Sequence, residues 1–372
     1  MASSLLRHAL GMLLLGTAIT GCAADVDDED VGVDEAEIKK SPDGALQIYT
    51  MNTHHMSEPG KDSFEVTDWR QMLSYMREQA YHPDIILLSE VGRNNSVPSQ
   101  PCVTFVRGLQ KALSPKGKIE WNCEQAKGHV TKLDNAGGGT AIVYRKNLVP
   151  QEKVVLVQWS LDKSSGKCVP DQTGPGLSLI QVFKDGKRRV AVASLHLVSG
   201  TTEGATNQLG RDCSEKSLRD VTEAMAKIDA DVKIIGGDMN HADAARRVEG
   251  TNIIHEQWEG GYAETCGYLA KGQKYNAGFK DPWFRDCAAS CSVKASGDTS
   301  YTAAQTQCIS SCMGKALGPG RIDWTLAKGG QIDDNVLIEY ADARAAYVRQ
   351  TGDANAVEKY ADHRANRMLI KY

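Results

Sequence analysis

The sequence predicts an α/β protein, because apolar runs typical of buried strands alternate with segments that have the spacing of amphipathic helices. The run that begins at Val232 is apolar, stops at two glycines and reads as a buried strand. Ser214–Ile228, just before it, has one apolar helix face. That face consists of Leu218, Val221, Met225 and Ile228. No linker or repeat interrupts the pattern, so a single large domain is predicted.

The first third of the body is predicted to contain two strands and two helices. Leu46–Asn52 alternates apolar and polar residues, as a half-buried strand does. A helix that begins at Thr67 ends before Tyr81–Pro83. Asp84–Glu90 is a second buried strand, with an apolar run before its terminal acid. A helix near Phe105–Ala112 is expected within a long loop region.

The remaining elements are mostly strands. A run led by three glycines, Gly137–Arg145, could approach a phosphate, but no helix follows it as in a P-loop. The other strands predicted before the helix at Ser214 are Val154–Trp159, Leu177–Phe183 and Val190–Val198. Two further strands, Gly320–Leu326 and Met368–Ile370, are predicted near the end of the chain.

Residues 1–21 have the features of an export signal. Arg7 is followed by the apolar run Ala9–Leu15 and then by Ile19-Thr-Gly-Cys22. A cysteine at this place resembles the bacterial lipobox, so residues 1–21 are predicted to be a lipoprotein signal peptide and Cys22 to be lipidated. Ordinary secretion after cleavage near Ala23 is the alternative. The protein is therefore expected to be exported, and either anchored by lipid to the bacterial cell envelope or secreted.

Residues 22–44 are predicted to be a flexible acidic tether, because eight acids precede Lys39. The whole chain has 43 basic and 47 acidic residues, a net charge of −4. Without Arg7 and the eight acids, 42 basic and 39 acidic residues remain in residues 38–372, a net charge of +3. A mildly basic body is compatible with an anionic substrate.

Nine cysteines follow Cys22, and an exported protein is expected to join them as disulfides. Two pairs with i, i+4 spacing could staple two antiparallel helices. The predicted bonds there are Cys287–Cys312 and Cys291–Cys308, within a cysteine-rich insertion at about 258–318. Metal binding by these four is the alternative, which an oxidising compartment disfavours. Cys102–Cys123 and Cys168–Cys213 are also predicted, so that either Cys266 is unpaired or one of the pairings is wrong.

The segment Gly236-Gly-Asp-Met-Asn240 contains the strongest chemical signal. Asp238 and Asn240 are two residues apart after a buried strand, so on extended backbone they project to the same side. A carboxylate and a carboxamide together suit a metal-assisted reaction on a phosphate. An Asx turn that closes the strand is the alternative explanation.

Other polar residues also stand at predicted strand ends. Asn52, Glu90 and His196 end three strands, and Asp323 and the pair Asp362–His363 stand in or before the last two. Acids beside apolar strands need a cation or hydrogen-bond donors. A surface glutamate and a structural core histidine are the alternatives for Glu90 and His196.

This ordered series resembles the endonuclease/exonuclease/phosphatase superfamily, which includes deoxyribonuclease I, from about Leu46 to Tyr372. The matching motifs are Asn52, Ser89-Glu90, His196, Gly237-Asp-Met-Asn240, Arg321-Ile-Asp323 and Ala361-Asp-His363. The resemblance implies a four-layer α/β sandwich, with two mixed β-sheets packed face to face and helices on the outer faces. It also implies that residues 45–372 form a catalytic domain.

The resemblance assigns roles residue by residue. Glu90 corresponds to the principal metal ligand, and Asn52 and Asp362 to groups close to the metal. The implied cofactor is Mg²⁺, with Mn²⁺ or Ca²⁺ as alternatives.

The catalytic residues implied by the resemblance act on the phosphate and on the attacking water. Asp238 corresponds to the acid that positions the water, and Asn240 to an amide that orients the phosphate. His196 corresponds to a histidine of the deoxyribonuclease-like branch that contacts the phosphate. Asp323 completes the site and His363 lies next to the phosphate.

Three flanking positions depart from the usual pattern. Ser89 replaces glutamine, Ala361 replaces serine and Met239 replaces an aromatic residue. These departures are expected to weaken the support around the site rather than its chemistry.

The function that the resemblance implies is that of a divalent-metal-dependent phosphodiester hydrolase. A nuclease that cleaves DNA, or RNA as well, fits an exported enzyme, with nucleic acid as substrate, a membrane contact through Cys22 and a monomeric state. A sphingomyelinase or inositol-phosphate phosphatase on the same fold is the first alternative. A catalytically inactive binding protein is the second.

Overall fold

Two mixed β-sheets packed face to face lie at the centre of the computed structural model. The structure describes residues 39–56, 67–91, 101–126, 139–162, 164–170, 176–197, 205–240, 279, 282–291, 304–305, 307–308, 311–312, 323–361 and 363–372. Its strands are β1 Ala45–Asn52, β2 Ile85–Val91, β3 Trp121–Gln125, β4 Gly139–Arg145, β5 Val149–Val157, β6 Trp159–Asp162, β7 Lys167–Pro170, β8 Leu177–Asp185, β9 Arg188–His196, β10 Val232–Asp238, β11 Asp323–Lys328, β12 Gln331–Leu337 and β13 Asn366–Lys371. Its helices are α1 Arg70–Glu78, α2 Pro101–Leu113, α3 Ala205–Lys227, α4 Pro282–Ser290 and α5 Tyr340–Thr351, with a 3-10 helix at His54–Met56.

The larger sheet has six strands in the order β12-β13-β1-β2-β4-β3, and the smaller has five in the order β11-β10-β9-β8-β5. Both sheets are mixed, because β1 runs parallel to β2 and β9 runs parallel to β10, while the other neighbours are antiparallel. Strands β6 and β7 form a separate antiparallel pair. The two mixed sheets that the resemblance implied are confirmed.

The central strands are buried on both faces, which explains why they are almost continuously apolar in sequence. On β1, Ile48 packs between the sheets and its neighbour Tyr49 packs outward. On β9, Val192 packs between the sheets and Ala193 packs outward. Each strand therefore contributes to two apolar layers.

Helices cover the outer face of each sheet. α1, α2 and α5 cover the six-stranded sheet through buried residues such as Met72, Phe105 and Ala343. α3 covers the five-stranded sheet through residues such as Leu218, and Cys287 of α4 belongs to the same apolar cluster. The result is the predicted four-layer α/β sandwich. None of the described helices is long and apolar enough to cross a membrane.

A seam of small and polar residues joins the two sheets. Thr325 Oγ1 donates to Thr50 Oγ1 at 2.7 Å, and Ser194 Oγ donates to the carbonyl oxygen of Leu88 at 3.0 Å. At Gly236 a Cβ would lie 2.6 Å from Thr50 Oγ1. The sheets approach so closely here that only glycine fits at position 236.

All four predicted disulfides are present: Cys102–Cys123, Cys168–Cys213, Cys287–Cys312 and Cys291–Cys308. The first ties α2 to β3, and the second ties β7 to α3. Cys266 and most of the predicted insertion lie outside the described residues.

Some element boundaries differ from the prediction. α1 begins at Arg70 rather than Thr67, because Thr67 forms a β-bridge with Lys359 and the Asp68 carboxylate accepts the Arg70 N–H at 3.0 Å. The strand predicted at Val154–Trp159 is the end of β5 and the start of β6, since the Gln158 N–H donates to Gly176 and leaves the ladder. The sequence patterns did not predict β3, β7, β12 or α5.

Candidate active site

Polar residues from both sheets meet at the edge where the parallel strand pairs end. Asn52 is the last residue of β1 and lies beside Ser89 of β2. In the other sheet, Asp238 ends β10 and pairs with His196 of β9 on one side and with Asp323 of β11 on the other. The pairing register therefore places His196, Asp238 and Asp323 in one row across three adjacent strands.

The buried carboxylate of Asp238 is the centre of the site. Its Oδ2 lies 3.2 Å from Asn52 Nδ2, 3.3 Å from His363 Nδ1 and 3.5 Å from His196 Nε2. Its Oδ1 accepts the backbone N–H of Asn240 at 2.7 Å. Four predicted site residues thus converge on this one carboxylate.

His363 lies between two carboxylates. Its Nδ1 is 3.2 Å from Asp323 Oδ2, in addition to its contact with Asp238. Burial opposes the charged form, but the hydrogen bonds to Asp238 and Asp323 raise the pKa of His363 to about 12. The imidazole is therefore a cation at neutral pH, and its Nδ1 is held by the two acids.

The environment of Asp238 keeps it ionised. Burial alone would raise its pKa, but the hydrogen bond and charge of His363, the adjacent His196 ring and the Asn240 N–H lower it. Asp323 is held in place by its backbone, because Asn366 Nδ2 donates to its carbonyl oxygen at 2.7 Å. Asp323 is 1 % exposed.

A β-bulge directs Glu90 into the site. Between the pairs Leu88–Ala141 and Val91–Gly139, two residues of β2 face one residue of β4. Glu90 has a φ of +53° and its Oε1 lies 3.4 Å from His196 Nε2. Strand alternation would otherwise turn Glu90 to the same face as Leu88, toward the helices.

The site has the composition of a metal centre. One ligand atom each from Glu90, His196 and Asp238 lies within 4.8 Å of the other two, the one such group among the described residues. Carboxylates and imidazole are ligands of divalent cations. The carboxylates of Glu90, Asp238 and Asp323 lie together at this edge, and a divalent cation is a suitable partner for such buried acids. These residues fit the metal that the resemblance implied.

The structure bears differently on the other predicted metal ligands, Asn52 and Asp362, and on Asn240, the amide predicted to orient the phosphate. Asn52 Oδ1 accepts the His54 N–H at 2.7 Å, so one lone pair of this oxygen is left for a metal. Asn240 Nδ2 donates to the Leu197 carbonyl at 2.6 Å, which fixes the carboxamide against the end of β9. Asp362 lies outside the described residues. The roles assigned to these residues remain predictions.

Backbone strain is concentrated around this edge. Among the described residues, the non-glycine residues with positive φ are His54, Met56, Glu90 and Asn240. Glu90 and Asn240 are candidate site residues, and His54 and Met56 lie in the 3-10 helix that follows Asn52. Such conformations cost of order 1 kcal/mol each and cluster at functional sites.

Sequence reasoning missed two supporting residues. Ser89, expected only to weaken the site, accepts the backbone N–H of Asp238 at 3.0 Å. His54 holds the Asn52 carboxamide through its backbone N–H and contacts Thr67 Oγ1 at 3.2 Å through Nδ1. Strand alternation from Leu87 would have placed Ser89 between the sheets, but no pattern in the sequence marks the contact of His54.

No protein-family model matches this sequence, and a search of curated proteins finds no match. Solved structures do match. An endonuclease/exonuclease/phosphatase protein from Beutenbergia cavernae is 15% identical with a TM-score of 0.50, and the match covers 88% of this chain and 71% of that one.

Two further solved structures match at lower similarity. D. rerio TDP2 complexed with a single-strand DNA product is 15% identical with a TM-score of 0.48, over 89% of this chain and 100% of the other. The human Nocturnin catalytic domain with a bound sulfate anion is 12% identical with a TM-score of 0.48, over 88% and 95%. At such identities the likeness to the Beutenbergia protein establishes the fold, which is that of the endonuclease/exonuclease/phosphatase superfamily.

Proposed function

We propose that this protein, which has the endonuclease/exonuclease/phosphatase fold, is a divalent-metal-dependent phosphodiester hydrolase. The observation that carries the proposal is the convergence on Asp238. One buried carboxylate is contacted by two imidazoles and one carboxamide, within reach of a second acid at the bulge of β2. Glu90 and Asn240, which adjoin this cluster, have positive φ, a conformation that clusters at functional sites.

Asp238 is the group that orients the attacking water. Its lowered pKa makes it a persistent hydrogen-bond acceptor and a weak base, so it directs a water O–H more readily than it removes the proton. Asp323 and the backbone N–H of Asn240 fix Asp238 and its partner His363 in place. The geometry is pre-organised because these groups are buried and mutually bonded.

His363 supplies positive charge next to the phosphate. Its imidazolium is 18 % exposed, whereas the side chain of His196 is 4 % exposed. Charge that develops on phosphate oxygens in the transition state is stabilised by such a fixed cation. A divalent ion bound by Glu90, His196 and Asp238, for which Mg²⁺ is the first candidate and Mn²⁺ or Ca²⁺ the alternatives, would add Lewis-acid stabilisation.

The substrate that we propose is nucleic acid, cleaved by an exported enzyme. His196 supports this, since it occupies the place that the sequence resemblance equates with a deoxyribonuclease-like histidine. Residues 1–21 and Cys22 support export and attachment to the cell envelope through lipid. Extracellular DNA or RNA is available to an enzyme in that place, and we propose that it acts as a monomer.

A panel of phosphoesters tests this function. The purified chain is assayed with Mg²⁺, with Mn²⁺ and with chelator against bis(4-nitrophenyl) phosphate, supercoiled plasmid DNA, sphingomyelin vesicles and an inositol polyphosphate. Metal-dependent nicking of the plasmid is expected. Release of phosphocholine or inorganic phosphate without nicking would replace the nuclease proposal by a lipid or inositol-phosphate hydrolase. Failure on all four substrates would overturn the hydrolase proposal.

A further inference from the structure

The hydroxyl of Ser89 links the two sheets at the level of the active site. Ser89 is fully buried. Its Oγ accepts the backbone N–H of Asp238 at 3.0 Å and donates to the carbonyl oxygen of Leu195 at 3.3 Å. Strand β2, on which Ser89 lies, belongs to the six-stranded sheet, whereas Asp238 and Leu195 belong to the five-stranded one. The hydroxyl therefore bonds the ends of β9 and β10 to the end of β2.

The backbone of Ser89 makes a second set of bonds within its own sheet. Its carbonyl oxygen accepts the Thr53 N–H at 3.0 Å and the Thr53 hydroxyl at 3.1 Å. Thr53 directly follows Asn52, and its hydroxyl also contacts the Glu90 carbonyl at 2.9 Å. Ser89 is thus fixed to the end of β1 as firmly as to the ends of β9 and β10.

Each contact of Ser89 is adjacent in sequence to a candidate site residue, or is one. Thr53 follows Asn52, Leu195 precedes His196, Ser89 itself precedes Glu90, and the remaining partner is Asp238. The two carboxylates of the metal group, on Glu90 and Asp238, lie on different sheets. Their separation depends on how the sheets are held together at this point.

We propose that Ser89 is a positioning residue that sets the distance between Glu90 and Asp238. The proposal rests on the proposed function, because it assigns Ser89 a role at the same metal-binding site. The N–H of Asp238 is buried, and without the hydroxyl it would lose the 3.0 Å bond that holds it to the opposite sheet, so the end of β10 would shift. The β-bulge at Ser89 and Glu90 turns both side chains toward the five-stranded sheet. The bond from Asp238 to Ser89 therefore also affects where Glu90 lies.

Ser194 provides a matched control. It is equally buried, lies in the same seam, and its Oγ donates across the sheets to the carbonyl oxygen of Leu88, the residue before Ser89. Ser194→Ala and Ser89→Ala therefore each remove one buried hydroxyl that bonds the backbone of the opposite sheet. Of these two hydroxyls, only that of Ser89 bonds Asp238.

The test compares Mn²⁺ binding and turnover in the full chain and these two variants. Mn²⁺ affinity is measured by titration calorimetry, and kcat and KM with bis(4-nitrophenyl) phosphate as substrate. Supporting partners of metal ligands typically contribute about tenfold or more to metal affinity or activity. Ser89→Ala is expected to weaken Mn²⁺ binding by about tenfold and to lower kcat similarly with KM unchanged. Ser194→Ala is expected to leave all three unchanged, while both variants lower the urea midpoint alike.

The outcomes separate this proposal from the proposed function. Equal Mn²⁺ affinities in Ser89→Ala and Ser194→Ala would overturn the positioning role, even in an active enzyme. Mn²⁺ binding that weakens in Ser89→Ala, in a protein that hydrolyses no phosphoester, would uphold the positioning role and overturn the function. A wild-type chain that binds no Mn²⁺ would overturn both. If Ser89→Ala does not fold, Ser89→Cys serves instead, because a thiol of nearly the same size is a weak donor and acceptor.

Discussion

Asp238 lies directly opposite Asp323 in the antiparallel pairing of β10 and β11, and the two buried carboxylates share one imidazole, that of His363. Two acids so close together would normally suppress each other's ionisation. Here the imidazolium between them compensates, and the three groups form one hydrogen-bonded unit. The state of His363 therefore reports directly on the geometry of the site.

We predict that His363 stays protonated across neutral pH in the metal-free protein. Its pKa is raised to about 12, so its stabilising contribution is complete below the ordinary pKa of about 6.5 and is lost only as the pH rises through the folded value. The Cε1–H NMR signal assigned through His363→Ala should not titrate between about pH 5 and pH 9. Asp323→Asn should lower the pKa of His363. A titration midpoint near the ordinary value in the unmutated chain would contradict the arrangement.

Gly237 is predicted to be irreplaceable. Its φ is +141°, and a Cβ there would overlap the carbonyl oxygen of Leu195, which cannot move without disturbing His196. Gly237→Ala should therefore destabilise the protein by about 3 kcal/mol in urea unfolding. Gly117→Ala is the control: its φ is +69° but open space surrounds it, so the cost should be about 1 kcal/mol. Similar costs for the two substitutions would show that the contact between β9 and β10 tolerates a methyl group.

The ion pair between Asp84 and Arg145 is predicted to matter for stability. Arg145 Nη1 lies 3.0 Å from Asp84 Oδ1, and the two side chains are 5% and 6% exposed. Arg145→Met would leave a buried carboxylate without its cation and should cost about 3–5 kcal/mol. Lys146→Met breaks the neighbouring pair with Glu120, whose side chains are about half exposed, and should cost less than about 1 kcal/mol. Urea unfolding of both variants would reveal whether burial makes this difference.

His82 is predicted to make the fold sensitive to acid. Burial, together with the charges of Arg145 and Lys39, lowers the pKa of His82 to about 4. The unfolded chain, with an ordinary pKa of about 6.5, binds more protons between these values, so stability should fall as the pH decreases through this window. His82→Gln removes the titrating group and should flatten the pH dependence of the urea midpoint between about pH 6.5 and pH 4. An unchanged slope would assign the acid sensitivity to other groups.

The elements that sequence reasoning found are those that bury apolar residues on one or both faces. β1, β2, β9 and β10 are apolar because the two sheets and the outer helices cover them, and the inward residues of α3 follow a helical spacing. The site residues at the ends of these strands could be located for the same reason. Their common edge follows from parallel pairing of β1 with β2 and of β9 with β10.

The missed elements carry weak apolar signals. β12 is an edge strand in which only Leu337 is fully buried, and β3 is an edge strand in which only Trp121 is. α5 buries only the alanines Ala343 and Ala346, which do not mark a helix face in a sequence. Packing against α1 and the β1 side of the sheet, rather than local pattern, accounts for this helix.

The geometry of the site depends on features that no sequence period encodes. The bulge at Glu90 adds one residue to β2 and changes the direction of a carboxylate. The bond from Ser89 to the Asp238 N–H joins residues 149 positions apart. Both result from the packing of two sheets, so a pattern read along one strand could suggest which residues take part but not how they contact each other.

Metal-dependent nicking of supercoiled plasmid DNA, by the purified chain and by Asp238→Asn, tests the central claim most directly. Asparagine keeps the shape of Asp238 but removes the charge that the site residues share, so activity should fall by about three orders of magnitude or more. We predict nicking in the presence of Mg²⁺ or Mn²⁺, none with chelator, and none in Asp238→Asn although this variant stays folded. Plasmid that remains intact with the unmutated chain, or nicking that persists in Asp238→Asn, would contradict the account.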